Sequence, residues 1–276
     1  MATKKKTAAE PAKAAAPAPV RICFERIIPD ELDPERMVRR QMRQQMVDAA
    51  GGARRLKAEG VAHVARMAVV NSKKWPLGST LRCRFLDGSA KMRNTVTRIA
   101  KEWERHADIK LKFVSKGPAE IRISFYADEG SWSAVGRDAL NTAYFPLHQP
   151  TMNFGWLRDD TDKEEAHRVV THEFGHALGC IHEHQSPKFT RKWNTAAVMK
   201  YFQGPPNFWT PEDIRANVLE KYSPKGLSAT RFDPKSIMLY SFDAALFSDG
   251  LGDTNENTDL SSLDKTMIAK MYPKKA

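Results

Sequence analysis

Alternating apolar and polar residues mark several short segments after Trp75, and this period of two predicts β-strands. The predicted strands are Leu81 to Leu86, Glu120 to Tyr126 and Thr151 to Leu157. Between the first two strands, apolar residues recur with a helical period and predict an amphipathic helix from Ala90 to Arg105. The pattern therefore indicates one mixed α and β domain over residues 75–273.

The chain before Trp75 has a different composition and is predicted to be separate from that domain. Residues 1–19 are mainly Ala, Lys and Pro, which is the composition of a disordered tail. Residues 20–74 have a helical pattern, with Asp33 and Pro34 at a predicted helix start. A prosegment, a docking helix pair and an N-terminal brace are the alternatives for this extension. No repeat with a period of about 20 to 50 residues is visible, which disfavours solenoids and propellers.

Basic residues outnumber acidic ones, with 44 Lys and Arg against 33 Asp and Glu, and the formal charge is +11. Part of this excess lies before residue 75, so contact between the basic extension and a polyanion is one hypothesis. Dedicated nucleic-acid recognition is disfavoured, because the chain has no aromatic-interleaved basic motif, no paired CxxC and no RNP-like strand. Charge alone identifies no partner.

The chain has three widely spaced cysteines, Cys23, Cys83 and Cys180, which do not resemble a disulfide framework. No run of about 18 apolar residues could span a bilayer, and no apolar leader is visible at the N-terminus. We therefore expect no membrane span and a cytoplasmic or non-classically exported protein. We also expect a monomer.

The segment THEFGHALGCIHEH, Thr171 to His184, has the spacing of a metal site. On a helix, His172 and His176 lie about 40° apart around the axis and about 6 Å apart along it, so both imidazoles can reach one ion. If the helix continued, His182 would point about 240° away, so the chain must turn before it. Gly179 stands at that turn, and glycine adopts a positive φ at low cost. The alternative, solvated helical histidines, is disfavoured by the combined register of Gly179 and His182.

The residue types around this motif predict hydrolytic chemistry. Thr161 and Glu164 form a predicted capping box that starts the helix. Three neutral imidazoles leave the fourth position of a zinc ion open for water, which is the pattern of a catalytic site. Glu173 lies about 100° from His172, where it can take a proton from that water and return it to the leaving amine. We therefore expect a zinc-dependent endopeptidase with one catalytic ion and no covalent acyl-enzyme.

With these residues in place, the chain resembles the astacin branch of the metzincin peptidases, including its bacterial-type relatives. His172 to Glu183 matches the motif HExxHxxGxxHE, and Ser236 to Tyr240 resembles the SIMxY Met-turn of that family. The resemblance implies that Met238 forms an apolar floor below the metal. It also implies that Tyr240 is a mobile extra ligand that supports the transition state. Without the histidine motif, both residues would be interpreted as core side chains.

Two further segments resemble the same family, and the resemblance covers about residues 75–273. Ser131 to Arg137 is similar to CWSYVGR, and Leu260 to Pro273 is similar to a C-terminal helix with the motif LSxxD. The implied fold is α+β and zincin-like, with a twisted mixed β-sheet, an active-site helix and a smaller C-terminal subdomain. The resemblance also implies that an extended peptide substrate pairs antiparallel with an edge strand. That strand is predicted to contain Met152, Asn153, Phe154, Gly155 and Trp156.

Several positions depart from the family pattern. Ser131 occupies a family cysteine position and Cys180 lies where a bulky apolar residue is usual, so the disulfide pattern does not transfer. If the extension is a removed prosegment, Cys23 is a candidate switch whose thiolate holds the fourth zinc position and silences the enzyme. A buried or idle cysteine is the alternative for Cys23. The alternative function is a catalytically silent zincin-like binding module, which the presence of Glu173 disfavours.

Overall fold

The computed structural model describes residues 23–26, 28, 73–205, 207–221 and 231–274. The predicted tail and nearly all of the predicted N-terminal extension lie outside these ranges. The predicted division of the chain at residue 75 therefore stays a prediction. Phe24–Arg26 nevertheless forms a strand of the main sheet.

One mixed sheet contains six strands. They are β1 (Phe24–Arg26), β2 (Thr80–Phe85), β3 (Lys110–Phe113), β4 (Ile121–Ser124), β5 (Ser131–Ala134) and β6 (Met152–Phe154). Their order across the sheet is β1-β5-β6-β4-β2-β3. Strands β2, β3, β4 and β6 run parallel, β5 is antiparallel to β6, and β1 is parallel to β5. The short strand from the extension therefore covers the outer edge of β5.

Strand β6 lies in the interior of the sheet. Met152 pairs with Ile123 of β4 on one side and with Ser133 of β5 on the other, so both hydrogen-bonding edges are used. The segment around β6 has no charged residue between Thr151 and Leu157, which is typical of an interior strand. The prediction that Met152, Asn153, Phe154, Gly155 and Trp156 belong to an edge strand is therefore wrong.

The helices are α1 (Ala90–Ala100), α2 (Lys163–Ala177), α3 (Thr195–Gln203), α4 (Pro211–Ile214) and α5 (Ser262–Met271). Shorter 3₁₀ turns lie at Trp103–Arg105, Ala127–Glu129, Gly136–Leu140, Glu183–Gln185 and Ala244–Leu246, and a π-helical turn lies at Arg215–Leu219. Helix α1 ends five residues earlier than predicted, because the chain tightens into a 3₁₀ turn after Lys101. Within the described ranges, no helix is long and apolar enough to cross a membrane.

Helix α2 packs against α1 and against strands β5 and β6. The apolar side chains of α2 and its C-cap are buried, including Val170, Phe174 and Leu178. The indole nitrogen of Trp103 donates to the carbonyl of Thr171 at 3.1 Å and ties the turn after α1 to the middle of α2. This packing leaves the opposite side of α2 for polar side chains.

The carboxyl end of α2 is held by residues from both ends of the domain. The last carbonyls of a helix have no partner inside the helix and need donors from elsewhere. The indole nitrogen of Trp75 donates to the carbonyl of Ala177 at 2.8 Å, and the hydroxyl of Tyr272 donates to the carbonyl of Leu178 at 2.7 Å. The backbone nitrogen of Trp75 in turn donates to the Tyr272 hydroxyl. The turn that follows α2 therefore has a fixed starting point.

Candidate metal centre

The N-cap of helix α2 is Asp162 and not the predicted Thr161. The Asp162 carboxylate accepts from the backbone nitrogens of Glu164 at 2.8 Å and Glu165 at 3.3 Å. The Thr161 hydroxyl instead accepts from the backbone nitrogen of Arg158. Two adjacent residues that can both cap a helix explain the error of one position.

The chain reverses after α2 in the way that the glycine predicts. Leu178 caps the helix, and Gly179 has a φ of 96°, in the left-handed region that favours glycine. The backbone nitrogen of Cys180 donates to the carbonyl of Gly175 and closes the turn. His182 is thereby brought back to the polar side of α2.

Three imidazoles meet at this point, from His172, His176 and His182. The Nε2 atom of His176 lies 3.1 Å from Nε2 of His172 and 3.0 Å from Nε2 of His182. All three side chains are buried. Nitrogens bound tetrahedrally to zinc at about 2.0–2.1 Å would lie about 3.3 Å apart, so the observed spacing fits one ion of that size.

The outer nitrogens of the three rings fix their tautomers. Nδ1 of His172 donates to the carbonyl of Ile237 at 2.8 Å, and Nδ1 of His176 donates to the carbonyl of Cys180 at 2.9 Å. Nδ1 of His182 lies 3.2 Å from Oε1 of Gln185. The Gln185 amide nitrogen donates to the carbonyl of Ala216. The Gln185 amide oxygen therefore faces His182 and accepts from its Nδ1. Each Nδ1 therefore carries the proton, and each Nε2 presents a lone pair to the centre.

Three converging lone pairs repel one another unless a cation or a proton lies between them. A shared proton would convert one ring to imidazolium. Burial, followed by the neighbouring His176 ring, lowers the pKa of His172 and of His182 well below the usual range. The donor set therefore fits a metal ion that prefers neutral imidazole ligands, as zinc does.

Glu173 and Cys23 lie beside this cluster. Glu173 is fully buried on α2, next to the first histidine. The Cys23 sulfur, one nitrogen of His172 and a Glu173 oxygen all lie within 4.8 Å of one another. Burial, followed by the charge of Glu173, raises the pKa of the Cys23 thiol well above its ordinary value. The chain thus brings together the predicted metal ligands, the predicted base and the predicted switch cysteine.

Tyr240 and Met238 also lie at the centre. The Tyr240 ring is 4.2 Å from the His182 ring, centroid to centroid, and its hydroxyl donates to the carbonyl of Cys23. Met238 is buried below α2, and its sulfur would lie only 2.5 Å from a Cβ atom placed on Gly175. A glycine inside the helix therefore allows the Met-turn to approach the two histidine-bearing turns.

A buried network positions the Met-turn from behind. The Asp264 carboxylate of α5 accepts from the Ser236 hydroxyl at 2.7 Å and from the backbone nitrogen of Ile237 at 2.9 Å. Ile237 is the residue whose carbonyl accepts from His172. Glu183 accepts from the backbone nitrogen of Asp233 in the same loop, and burial raises the pKa of Glu183 to about 7.

Sequence reasoning missed the supporting residues of this centre. Gln185, which orients His182, was not predicted, and Asp264 was recognised only as the aspartate of the LSxxD motif, without its contact to the Met-turn. The spacing of Ser261 and Asp264 is that of a helix capping box, but this local pattern indicates no second role at a distant loop. The role of Gly175 was not predicted, because helix geometry alone does not show that Met238 packs against it.

Comparison with known proteins shows that this chain is similar to proteases. The family model for matrixin peptidases matches residues 84–195. A solved structure of myroilysin is 40% identical with a TM-score of 0.72, and the match covers 75% of this chain and 98% of that chain. A second, crystal structure of myroilysin is 40% identical with a TM-score of 0.58, over 74% of this chain and 87% of that chain. High choriolytic enzyme 1, a hatching enzyme zinc-protease from the medaka fish Oryzias latipes, is 19% identical with a TM-score of 0.48, over 73% and 95% of the two chains.

No curated protein matches the sequence. The identity to myroilysin, over nearly the whole of that chain, shows that this chain belongs to the metzincin-type zinc proteases. The predicted family and the predicted zincin-like α+β fold are confirmed. Membership makes the chain a metalloprotease, and it implies a zinc ion and peptide substrates.

Proposed function

We propose that this chain is a zinc-dependent endopeptidase with one catalytic zinc ion bound by Nε2 of His172, His176 and His182. The observation that carries the proposal is the convergence of three buried imidazoles, with Nε2 of His176 3.1 Å from Nε2 of His172 and 3.0 Å from Nε2 of His182. Each ring is oriented by an acceptor on its other nitrogen, which is the outer-shell arrangement that supports metal-bound histidines. In this site zinc supplies Lewis-acid chemistry, activating water and polarising the scissile carbonyl.

The proposed base is Glu173. Its carboxylate is fully buried beside His172, close enough to the ligand atoms to take a proton from the attacking water. In the next step the same carboxyl group returns the proton to the leaving amine. A buried position excludes bulk water from this exchange and keeps the proton between substrate and enzyme.

Tyr240 and Met238 have different proposed roles. The Tyr240 hydroxyl donates to a main-chain carbonyl, that of Cys23, beside the histidines. When a substrate replaces the extension, the same hydroxyl can donate to the oxygen of the scissile carbonyl and stabilise the charge that develops there. The packing of Met238 beneath Gly175 supports its role as the apolar floor.

The proposed substrate strand is β5 and not β6. Strand β1 of the extension pairs with the outer edge of β5, which supports β5 as the edge available to an extended peptide. Backbone hydrogen bonds along an edge select extended chains and leave side-chain selection to pockets. By the family resemblance, the substrate would run antiparallel to β5.

Cys23 is proposed as the switch that keeps the intact chain silent. Its sulfur lies beside His172 and Glu173, and its carbonyl accepts a hydrogen bond from the Tyr240 hydroxyl. Strand β1 follows directly and fills the edge of β5. In the zinc-loaded full chain, Cys23→Ser should hydrolyse casein faster than the unchanged chain, whereas Cys83→Ser, a control in the core, should not. Equal rates for all three would reject the switch but leave the peptidase proposal intact.

Hydrolysis of casein or gelatin tests the main proposal against a silent binding module. We expect turnover by the zinc-loaded protein, loss of turnover on chelation, and a fall of about 10² to 10⁴-fold for Glu173→Gln. A folded, zinc-loaded protein that cleaves no peptide would establish the binding module instead.

A further inference from the structure

Arg26 of β1 occupies a defined position next to β5. In the parallel register it lies opposite Ala134, on the same face of the sheet as Trp132. Its guanidinium carbon is 3.7 Å from the centroid of the Trp132 ring, which is a cation–π contact. Nη2 of Arg26 lies 3.3 Å from Oε2 of Glu129. One side chain of the extension thus contacts an aromatic face and a carboxylate together.

The surroundings of Trp132 make this aromatic face rigid. The ring is fully buried and stacks on Phe145 at 6.3 Å between centroids, and Tyr144 packs edge-on against Phe145. Burial lowers the pKa of the Arg26 guanidinium, and the charge of Glu129 acts in the opposite direction. The position therefore removes part of the hydration of a cation and replaces it with an aromatic face and a negative charge.

We propose that Trp132 and Glu129 form a subsite for a basic side chain of the substrate, which Arg26 occupies in the intact chain. This inference rests on the proposed function, because it requires a peptide substrate on the edge of β5. An arginine fits better than a lysine, since a planar guanidinium can stack on an indole and pair with a carboxylate at once.

The register locates the subsite relative to the scissile bond. Cys23, beside the metal ligands, precedes the pair Phe24 and Trp132, so the metal lies near the Ser131 end of β5. A peptide antiparallel to β5 passes the Ala134 end first and then reaches the metal. The basic residue would therefore lie within about three residues on the N-terminal side of the cleaved bond.

The test uses the zinc-loaded full chain with Cys23→Ser and pairs of quenched fluorescent peptides. Each pair differs only by Arg or citrulline, its neutral isostere, at one of the three positions before the cleaved bond. Strand β1 competes equally with both peptides of a pair for the edge of β5. It therefore lowers the two cleavage rates by the same factor and leaves their ratio unchanged. We expect kcat/KM to be about three- to tenfold higher for Arg at one position, the size of a partly buried cation–π contact with an ion pair.

Variants of Glu129 then test whether its carboxylate is part of the proposed subsite. Glu129→Gln should reduce the Arg-to-citrulline ratio, and Glu129→Lys should bring it below one, because the new ammonium repels the substrate. Glu212→Gln, an exposed glutamate of α4, is the matched control and should keep the ratio. Trp132→Phe should weaken the preference without inverting it.

The outcomes separate this inference from the proposed function. A ratio near one at all three positions, with cleavage that depends on zinc and Glu173, overturns the subsite alone. A ratio above one that Glu129→Lys leaves unchanged also overturns it. If the variant cleaves no peptide of any sequence, the proposed function fails and the subsite fails with it.

Discussion

The imidazole of His167 illustrates how single side chains on α2 respond to their partners. Nε2 of His167 lies 2.9 Å from the Glu102 carboxylate, and Nδ1 lies 2.7 Å from the carbonyl of Thr258. Asp259 is 3.5 Å from the same ring. Burial opposes protonation of His167, but these acceptors outweigh it and raise the pKa above the ordinary value.

A raised folded-state pKa gives His167 a pH-dependent contribution to stability. The contribution is fully present below the unfolded pKa of about 6.5 and is lost as pH rises through the folded value. Between pH 6 and pH 8.5, the free energy of unfolding should therefore fall less for His167→Gln than for the unchanged protein. The expected difference between the two decreases is about 0.5 kcal/mol. Urea midpoints across this range measure the difference. Parallel curves for the two proteins would mean that the pKa of His167 is the same in the folded and unfolded states.

At the scale of elements, α2 and the Met-turn meet at Gly175. An alanine would gain about 1 kcal/mol of helix propensity at an unconstrained site. Here its methyl group would lie 2.5 Å from the sulfur of Met238 and 3.2 Å from the Trp103 ring. Gly175→Ala should therefore cost about 1–3 kcal/mol by overpacking.

Urea unfolding measures this cost, and Gly204→Ala is the matched control. Gly204 has a φ of −82°, and a methyl group there would meet its nearest atoms at 3.5 Å. Its substitution should stay within about 0.5 kcal/mol. A stabilised Gly175→Ala protein would mean that Met238 moves aside freely.

The contact between α5 and the Met-turn predicts a loss of zinc affinity at a distance. In Asp264→Asn, an amide nitrogen would replace an oxygen that accepts from Ser236 or from Ile237. The Ile237 carbonyl that orients His172 would then be less well positioned. We expect zinc affinity to fall about 10- to 100-fold, measured by competition with a chromogenic chelator. Lys265→Gln, on the exposed side of α5, should bind zinc normally.

The elements differ in how far sequence could predict them. Strand β2 and helix α2 follow from local periodicity, and the turn at Gly179 follows from the position of the next histidine. Strand β5 was not predicted as a strand, because SWSA has only four residues and its polar and apolar alternation is too short to distinguish a strand from a loop. The placement of β6 between β4 and β5 depends on pairing between distant segments, which no local pattern encodes. The partners of the histidines, such as Gln185 and Asp264, depend on the same long-range folding.

At the scale of the whole molecule, zinc should couple to folding. The fold brings His172, His176 and His182 together, so zinc binds the folded state preferentially. Free zinc at about a thousand times its Kd should raise the free energy of unfolding by about 4 kcal/mol. His176→Gln should lose most of this increase, measured by thermal unfolding with and without chelator.

His148→Gln is the control for nonspecific zinc effects, because His148 is exposed and lies apart from the α2 histidines in sequence. It should retain the full stabilisation by zinc. An equal loss in both variants would point to binding by surface histidines.

The pairing of β1 with β5 also bears on solubility and handling. Cleavage that releases residues 23–26 would leave the backbone groups of β5 that face away from β6 without a neighbouring strand. Exposed strand edges recruit strands from other molecules and promote aggregation. The trimmed protein should therefore precipitate at lower concentration than the intact chain, and a tight peptide inhibitor should restore its shelf life.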